Sequence, residues 1–320
     1  MKLVSLGSFQ EGWVWGQHSH PGKKLFATEA FTTAQETPVL GEEGPAPAGG
    51  MACWGQSRKD ASVPTILLST RTTTTIATWN VKTMYETGKA AQASAEMPQY
   101  NIALLGVSET RWLQARQTRL ASGGLLLYSG HEEDNAAHTE GVGIMLSRTA
   151  QKALTGWEAH GSRITILHDH EEKRQDERDP MLRTHHYYDD EDKDQFYNRL
   201  QAILDKLKDK DINILMGNFN AKVGSDNRGY EEVMGHALGK MNENGERFAD
   251  LCGLNNLVIG GSIFAHKRIH KATWVSPDHV TENQIDHFCI TKKFRRSLKD
   301  VRVRRGADAA SDHHLLTARL

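Results

Sequence analysis

Reactive side-chain types recur in this chain at one kind of place, the end of a short apolar run. Asn80 follows Ile76 to Trp79, and Ser108 and Glu109 follow IALLGV. Asn218 and Asn220 follow the run at 212–216 in the stretch INILMGNFNAKVG, which breaks at Gly217 and closes at Gly224. Asp286 and His287 sit in the run at 285–290, and Asp312, His313 and His314 precede 315–318. A strand that carries short polar groups at its end holds them on a rigid support. Singly, each has an ordinary alternative, since Asn suits turns, a strand-end Glu is commonly a surface residue, and Ser-Asp-His is as readily a turn. Together they supply what metal-assisted cleavage of a phosphodiester requires. Mg2+, or Mn2+ in its place, takes oxygen ligands, keeps several waters and needs only one or two carboxylates. An imidazolium and amide donors share in stabilising the developing negative charge. An acceptor must hold the attacking water.

Positioning such groups takes a layered α/β domain. Ile76, Thr78 and Asn80 alternate with Ala77, Trp79 and Val81, which is the period of a strand. Similar short runs predict strands at 102–107, 125–128, 142–146, 163–167, 257–259, 272–275, 301–303 and 315–318. Helices are predicted over 84–100, cut short by Pro98, over 193–210 and over 244–254. In the second, Phe196, Leu200, Ile203, Leu204 and Leu207 share one face. Strands with helices between some of them place one α/β domain over 75–320.

Two stretches stand apart. Residues 1–74 show no sustained period, are rich in Gly, Pro, Thr and Ala around 37–50, and read as a disordered N-terminal extension with scattered Trp13, Trp15 and Trp54. The other lies at 168–192, where HDHEEKRQDERD holds no apolar side chain and Pro180 follows, an atypical charged insertion or replaced strand. His168 and His170 beside Glu171 and Glu172 invite a metal reading, but a charge run reads first as solvated surface.

The composition narrows the class. A net charge of -1 excludes a protein that coats nucleic acid by bulk charge. Three widely spaced cysteines without a CxxC pair indicate neither a disulfide framework nor a cysteine zinc site, and suit a reducing compartment. No apolar run approaches a membrane span, and the opening MKLVSLGSFQEGWVWG is a poor signal peptide. The expectation is an intracellular protein with no membrane contact and no obligate protein partner.

In order along the chain, TWNV (78–81), SETRW (108–112), MGNFNAKVG (216–224), TWVSPD (273–278), NQIDHF (283–288) and SDHH (311–314) resemble the motif series of the endonuclease/exonuclease/phosphatase family. That family includes deoxyribonuclease I and the apurinic endonucleases. MNENGERFADLC, TENQIDH and RRGAD are similar to the endonuclease domain of RTE-type non-LTR retrotransposons and their domesticated relatives. The resemblance covers 75–320. It implies a four-layered α/β sandwich of the deoxyribonuclease I kind, two packed mixed β-sheets flanked by helices, with the site at strand ends between the sheets. It implies Glu109 as the principal Mg2+ ligand, with Asn80 and Asp312 beside it. Asn220 would orient the phosphate, Asp286 would belong to the site, and Asp312 would pair with His313 and orient its imidazole. His287 stands where an aromatic is common. Arg111 and Trp112 would touch the substrate backbone. Two basic stretches, HKRIHK (266–271) with Lys267, Arg268 and Lys271, and KKFRRSLKDVRVRR (292–305), suit phosphate contacts or, equally, charged solvated edge strands. Beside the resemblance they favour DNA, with Trp274 as a further contact.

Two departures from the family pattern matter. Its Gly-Asp-x-Asn is here Gly217-Asn218-Phe219-Asn220. The missing Asp is the group proposed to polarise the attacking water or protonate the leaving oxygen, and Asn cannot ionise. The family also has an apolar strand leading into Tyr-Ala-Pro-Thr, where this chain has HDHEEKRQDERDPMLRTHHYY. Tyr187 or Tyr188 is the nearest substitute, without matching flanks. Loss of an interior strand would leave its neighbours with unpaired backbone groups. The implied function is a Mg2+-dependent DNA endonuclease domain of retrotransposon origin with impaired activity. The alternative is an inactive DNA- or protein-binding module on the same scaffold.

Overall fold

The structure is a computed structural model that describes residues 1–7, 67, 68, 73–168, 189–208 and 210–320, with backbone alone at 189–192. The apolar runs become strands β1 (Lys2–Leu6), β2 (Thr75–Asn80), β3 (Ile102–Ser108), β4 (Ala115–Arg119), β5 (Leu125–Ser129) and β6 (Val142–Leu146). Next come β7 (Gly156–Ala159), β8 (Ile164–His168), β9 (Asn213–Asn218), β10 (Leu257–Ile259), β11 (Trp274–Val275) and β12 (Glu282–Asn283). The last are β13 (Asp286–Thr291), β14 (Asp300–Arg304) and β15 (Leu315–Arg319). They form a six-stranded sheet in the order β10-β13-β9-β1-β8-β7, a seven-stranded sheet in the order β14-β15-β2-β3-β6-β5-β4, and the small β11-β12 pair.

Period-two alternation sorts the side chains of both sheets. Leu3, Ile214, Met216, Phe288 and Ile290 of the first sheet share a core with Ile76, Leu104, Ile144 and Leu316 of the second. Residues of opposite parity, Val4, Leu6, Leu215 and Cys289, pack on helices carrying Phe196, Leu200, Phe248 and Leu251. The helices involved are α1 (Lys89–Gln99), which covers the far face of the second sheet through Ala93 and Met97, α2 (Arg148–Gln151), α3 (Asp189–Leu204) and α4 (Glu243–Leu254). α3 and α4 cover the first sheet. The result is the expected sandwich of helix, sheet, sheet and helix. α4 starts where Asn242 accepts the Gly245 amide at 2.8 Å, with Glu243 and Glu246 facing the positive end of the helix dipole.

The disordered reading of 1–74 needs correction at its start. Lys2–Leu6 is a buried interior strand, antiparallel to β8 and parallel to β9. Five residues are too few to display a sustained period. Burying Leu3, Val4 and Leu6 contributes on the order of 5 kcal/mol, and ordering the five residues costs a comparable amount. The two backbone ladders therefore tip the balance. They also answer the expectation of unpaired neighbours, because β1 bridges β8 and β9.

Trp13, Trp15, Trp54 and the rest of that extension up to residue 66 lie outside the described residues, as do Tyr187, Tyr188 and 169–188 of the charge run. His168 itself belongs to β8. Besides β1, three strands escaped the sequence reading, one of them the two-residue β12. β4 (ARQTR) is an exposed charged edge, and β7 (GWEA) carries one large apolar residue. Pro98 sits inside the last turn of α1, and the helix ends one residue later. No helix among the described residues is long and apolar enough to cross a membrane.

Phe288 lies fully buried between the sheets. Phe288→Ala is expected to lose about 3–5 kcal/mol in urea denaturation. Arg119→Ala, on the exposed edge β4, should stay within about 0.5 kcal/mol of the parent.

Candidate active site

The faces that line the intersheet core run on into polar residues where the strands end. Asn80 continues the Ile76 face of β2, Asn218 continues the Ile214 and Met216 face of β9, and Asp286 shares parity with Phe288 and Ile290 on β13. Register pairs Asn80 with Ser108 and Asn218 with Asp286. The turn at 311–314 then ties the two sheets together. Ser311 Oγ donates to Asn80 O at 2.7 Å and accepts the His313 amide at 3.1 Å. Trp79 Nε1 donates to His313 O at 3.0 Å, and His313 Nδ1 meets Asp286 Oδ2 at 2.8 Å.

Glu109 stands one residue past β3 with φ 57°, and Lys82, Arg111 and Asn220 are also left-handed, at 63°, 60° and 51°. Such backbone costs on the order of 1–3 kcal/mol per residue unless the residue is suited to it, as Asn is. Four of the nine left-handed non-glycine residues among those described thus lie just past these strand ends. Asn80 Nδ2 donates to Glu109 Oε1 at 2.7 Å, while Asn80 Oδ1 accepts the Lys82 amide at 2.9 Å. The amide therefore orients Glu109 and turns its own oxygen away, so the expected role of Asn80 as a metal ligand does not fit this geometry. Arg111 Nη2 lies 3.6 Å from Glu109 Oε2.

The partner of His313 is Asp286, where Asp312 was expected. Consecutive residues of an extended segment project to opposite sides. Asp312 accordingly accepts from Trp274 Nε1 at 3.2 Å and lies 3.8 Å from Lys82 Nζ. Burial alone would lower the His313 pKa. The Asp286 charge and hydrogen bond, with the charges of Asp312 and Glu109, outweigh it and hold the pKa above the usual histidine value. Both of those carboxylates are thus near enough to act on the imidazole. Asp286 is fixed in turn by Thr273, whose Oγ1 accepts the amides of Ile285 and Asp286 at 3.0 Å each.

His287 points the other way, into the helix layer. Its Nε2 donates to Ala221 O at 2.7 Å, and its ring lies 5.0 Å from Phe248 and 6.1 Å from Phe219. An imidazole thus fills the aromatic position as a neutral ring, with its pKa lowered by burial. Asn218 Oδ1 accepts the Asn220 amide at 2.9 Å, an Asx turn that sets up the left-handed Asn220. The start of α4 clamps the same loop. Asn244 Nδ2 donates to Phe219 O at 2.5 Å, and Asn242 Oδ1 accepts the Lys222 amide at 2.9 Å. Sequence reasoning placed MNEN among the matching text without seeing that its two asparagines hold the site loop. It likewise passed over Ser311, Trp79 and Thr273 as positioning residues.

Among the described residues, no three His, Cys, Asp or Glu side chains gather as a metal cage. A hard cation that keeps its waters needs less, and Glu109 with Asp312 provides suitable oxygens.

The nucleic-acid contacts divide. Lys271 needs correction, since it is 4% exposed, donates to His236 O, and has its pKa lowered by burial. Trp112 packs edge-on against Tyr128, with ring centroids 4.7 Å apart, as part of a wall. Trp274 is engaged with Asp312. Arg268 is exposed and ion-paired with Glu282 at 2.9 Å, and Lys267 is exposed. In the second basic stretch, Lys293, Arg295, Arg296 and Lys299 are exposed, while Arg302 and Arg304 line the sheet edge at β14.

Residues 77–313 match the endonuclease/exonuclease/phosphatase family. The chain is 31% identical over 248 residues to craniofacial development protein 2 of Tragulus javanicus, covering 76% of this chain and 42% of that protein. It therefore spans less than half the length of that relative. Among solved structures, the AP endonuclease of Leishmania major superposes with a TM-score of 0.55 at 14% identity, covering 79% of this chain and 89% of that one. The 3' phosphatase NExo from Neisseria, bound to a product DNA hairpin, superposes with a TM-score of 0.51 at 17% identity, covering 77% and 98%. At these identities the likeness establishes the fold.

His287→Phe keeps a ring between Phe219 and Phe248 and leaves Ala221 O without its donor, a loss of about 1–3 kcal/mol. It should also change the pH profile. Because the folded pKa is lowered, the unfolded chain takes up the proton first as pH falls below about 6.5, so His287 removes stability on that side. His313, with its raised pKa, acts oppositely, its contribution being present below the unfolded value and lost as pH rises through the folded one. Urea midpoints between about pH 5 and 7 should therefore fall less steeply toward acid in His287→Phe than in the parent. Equal slopes would mean that His287 titrates in the fold as it does in the unfolded chain.

Proposed function

The chain belongs to the endonuclease/exonuclease/phosphatase family, and from that premise we propose that it carries a DNA endonuclease site of retrotransposon origin, weakened by Asn218. The observation that carries this reading is His313 held by Asp286 at 2.8 Å beside the Asn80–Glu109 pair. Family nucleases generally use divalent metal ions, and Mg2+ or Mn2+ held by Glu109 and Asp312 would supply Lewis-acid stabilisation of the phosphate charge. The remaining work falls to the chain's own groups. With Nδ1 committed to Asp286, His313 has Nε2 to offer a phosphate oxygen. Its raised pKa keeps it cationic over more of the neutral range. Asn220, in its left-handed turn, would orient the phosphate by its side-chain amide.

Asn218 stands opposite Asp286, where the family has Asp. It can hydrogen-bond but cannot take a proton from water or return one to the leaving oxygen. DNA as substrate is supported by the exposed Lys267, Arg268, Lys293, Arg295 and Arg296, side chains suited to neutralising phosphates. It is also in keeping with the DNA-bound Neisseria 3' phosphatase of the same fold. Descent from an RTE-type element is supported by MNENGERFADLC and TENQIDH, and a DNA substrate suits a nuclear location. Asn218 specifically favours a second reading, in which the scaffold binds DNA or a protein without cutting.

Nicking of supercoiled plasmid with Mg2+ or Mn2+ separates the two. Asn218→Asp is expected to raise the rate by about 10²–10⁴, and Glu109→Ala in that background to abolish it. A folded Asn218→Asp protein that still fails to nick would leave the binding role.

A further inference from the structure

We propose that the slot between β8 and β9 is a strand-binding groove whose occupant, Lys2–Leu6, docks and leaves as a unit, and that this docking holds the Asn218 turn in place. β8 and β9 do not pair with each other. Each pairs instead with all five residues of β1, one antiparallel and the other parallel. In most sheets such a strand is delivered by a hairpin or a crossover from its neighbour. Here it comes from positions 2–6, while its neighbours come from 164–168 and 213–218, so no short connection ties it to either flank.

The strand is well matched to its slot without being fully satisfied there. Val4 and Leu6 enter the core under α3 and α4, and Leu3 enters the intersheet core. Ser5 Oγ is buried with no hydrogen-bond partner among the described residues, which weakens docking relative to an all-apolar strand. The ends are pinned by backbone, with Lys2 N donating to Ile212 O and Gly7 N donating to Arg163 O, each at 2.9 Å.

The link to the site is steric. Leu6 lies in register with Gly217, the residue before Asn218. Gly217 has φ 151°, and a Cβ there would collide with the Leu6 carbonyl. The backbone of β1 thus rests directly on the glycine from which the site turn departs. With β1 gone, β9 keeps β13 on one side and has an open edge on the other. This coupling is geometric and does not depend on whether the site cuts DNA.

The whole chain 1–320 can test it by crosslinking and hydrogen exchange. Because Gly7 N bonds Arg163 O, alternation makes Val4 and Ile166 a non-hydrogen-bonded pair. Such pairs have Cα atoms about 4.5 Å apart, within disulfide reach. V4C/I166C in a Cys53→Ala background should oxidise to an intrachain crosslink. In the reduced form, amides of 2–6, 164–168 and 213–220 should exchange together, at least about tenfold faster than those of 102–108. Oxidation should slow all three groups to the rate of 102–108. Three outcomes would overturn the proposal: a folded variant that does not crosslink, disulfide-linked dimers, or exchange of 2–6 and 213–220 already as slow as 102–108 before oxidation.

Discussion

A carboxylate at 1% exposure has to be paired, and the arrangement of this site follows from how Asp286 meets that demand. An isolated buried charge is strongly destabilising, whereas one with a close, hydrogen-bonded counter-ion is tolerated. His313 is that counter-ion, and its own position is over-determined by Trp79 on its carbonyl and Ser311 on its amide. Ser311 reaches on to the Asn80 carbonyl, and Asn80 aims Glu109. The chain of contacts runs from β13 of one sheet to β2 and β3 of the other. The pairing that makes Asp286 bearable therefore also sets the relation between the two polar strand ends.

The first sheet depends on a different condition. Its strand β9 carries the site turn and has β13 on one side, but its other side is completed from the far end of the chain. A sheet interior needs both ladders filled, because unpaired buried amides and carbonyls are costly. Lys2–Leu6 meets that need, parallel to β9 and antiparallel to β8. The strand that fills this interior place has apolar residues on both faces, Leu3 toward the other sheet and Val4 and Leu6 toward the helices.

How much of this could be read from the sequence depended on the range of the signal. Alternation and strand-end polarity are local, and they located Asn80, Glu109, Asn218, Asn220, Asp286 and His313 at the strand ends that the structure brings together. Which carboxylate would face His313 was not local. Asp312 is adjacent in sequence and points away, while Asp286 is 27 residues distant and points in. The direction of the Asn80 amide depends on the Lys82 backbone, which no composition or period encodes. Lys271 looked like surface in HKRIHK, yet the turn of the chain at 268–271 buries it on the His236 carbonyl. β1 was illegible for the same reason, since five apolar-rich residues acquire meaning only beside two strands from elsewhere.

Asn218 has a structural logic that is separate from its chemical cost. Its Oδ1 accepts the Asn220 amide, a bond that an aspartate at 218 would make equally well. The Asx turn, and with it the left-handed Asn220, does not distinguish the two residues. What differs is charge. An aspartate there would lie in register beside Asp286, placing two carboxylates in one buried region. Like charges so placed disfavour each other's ionised forms, which is how such sites tune a carboxyl for acid–base work. An amide removes that repulsion and with it the tuned group. Asn218 thus leaves Asp286 without a carboxylate neighbour across the register. The Asx turn, the His313–Asp286 pair and the Asn80–Glu109 bond all form with an amide at 218, so the geometry of this region does not require a carboxylate there.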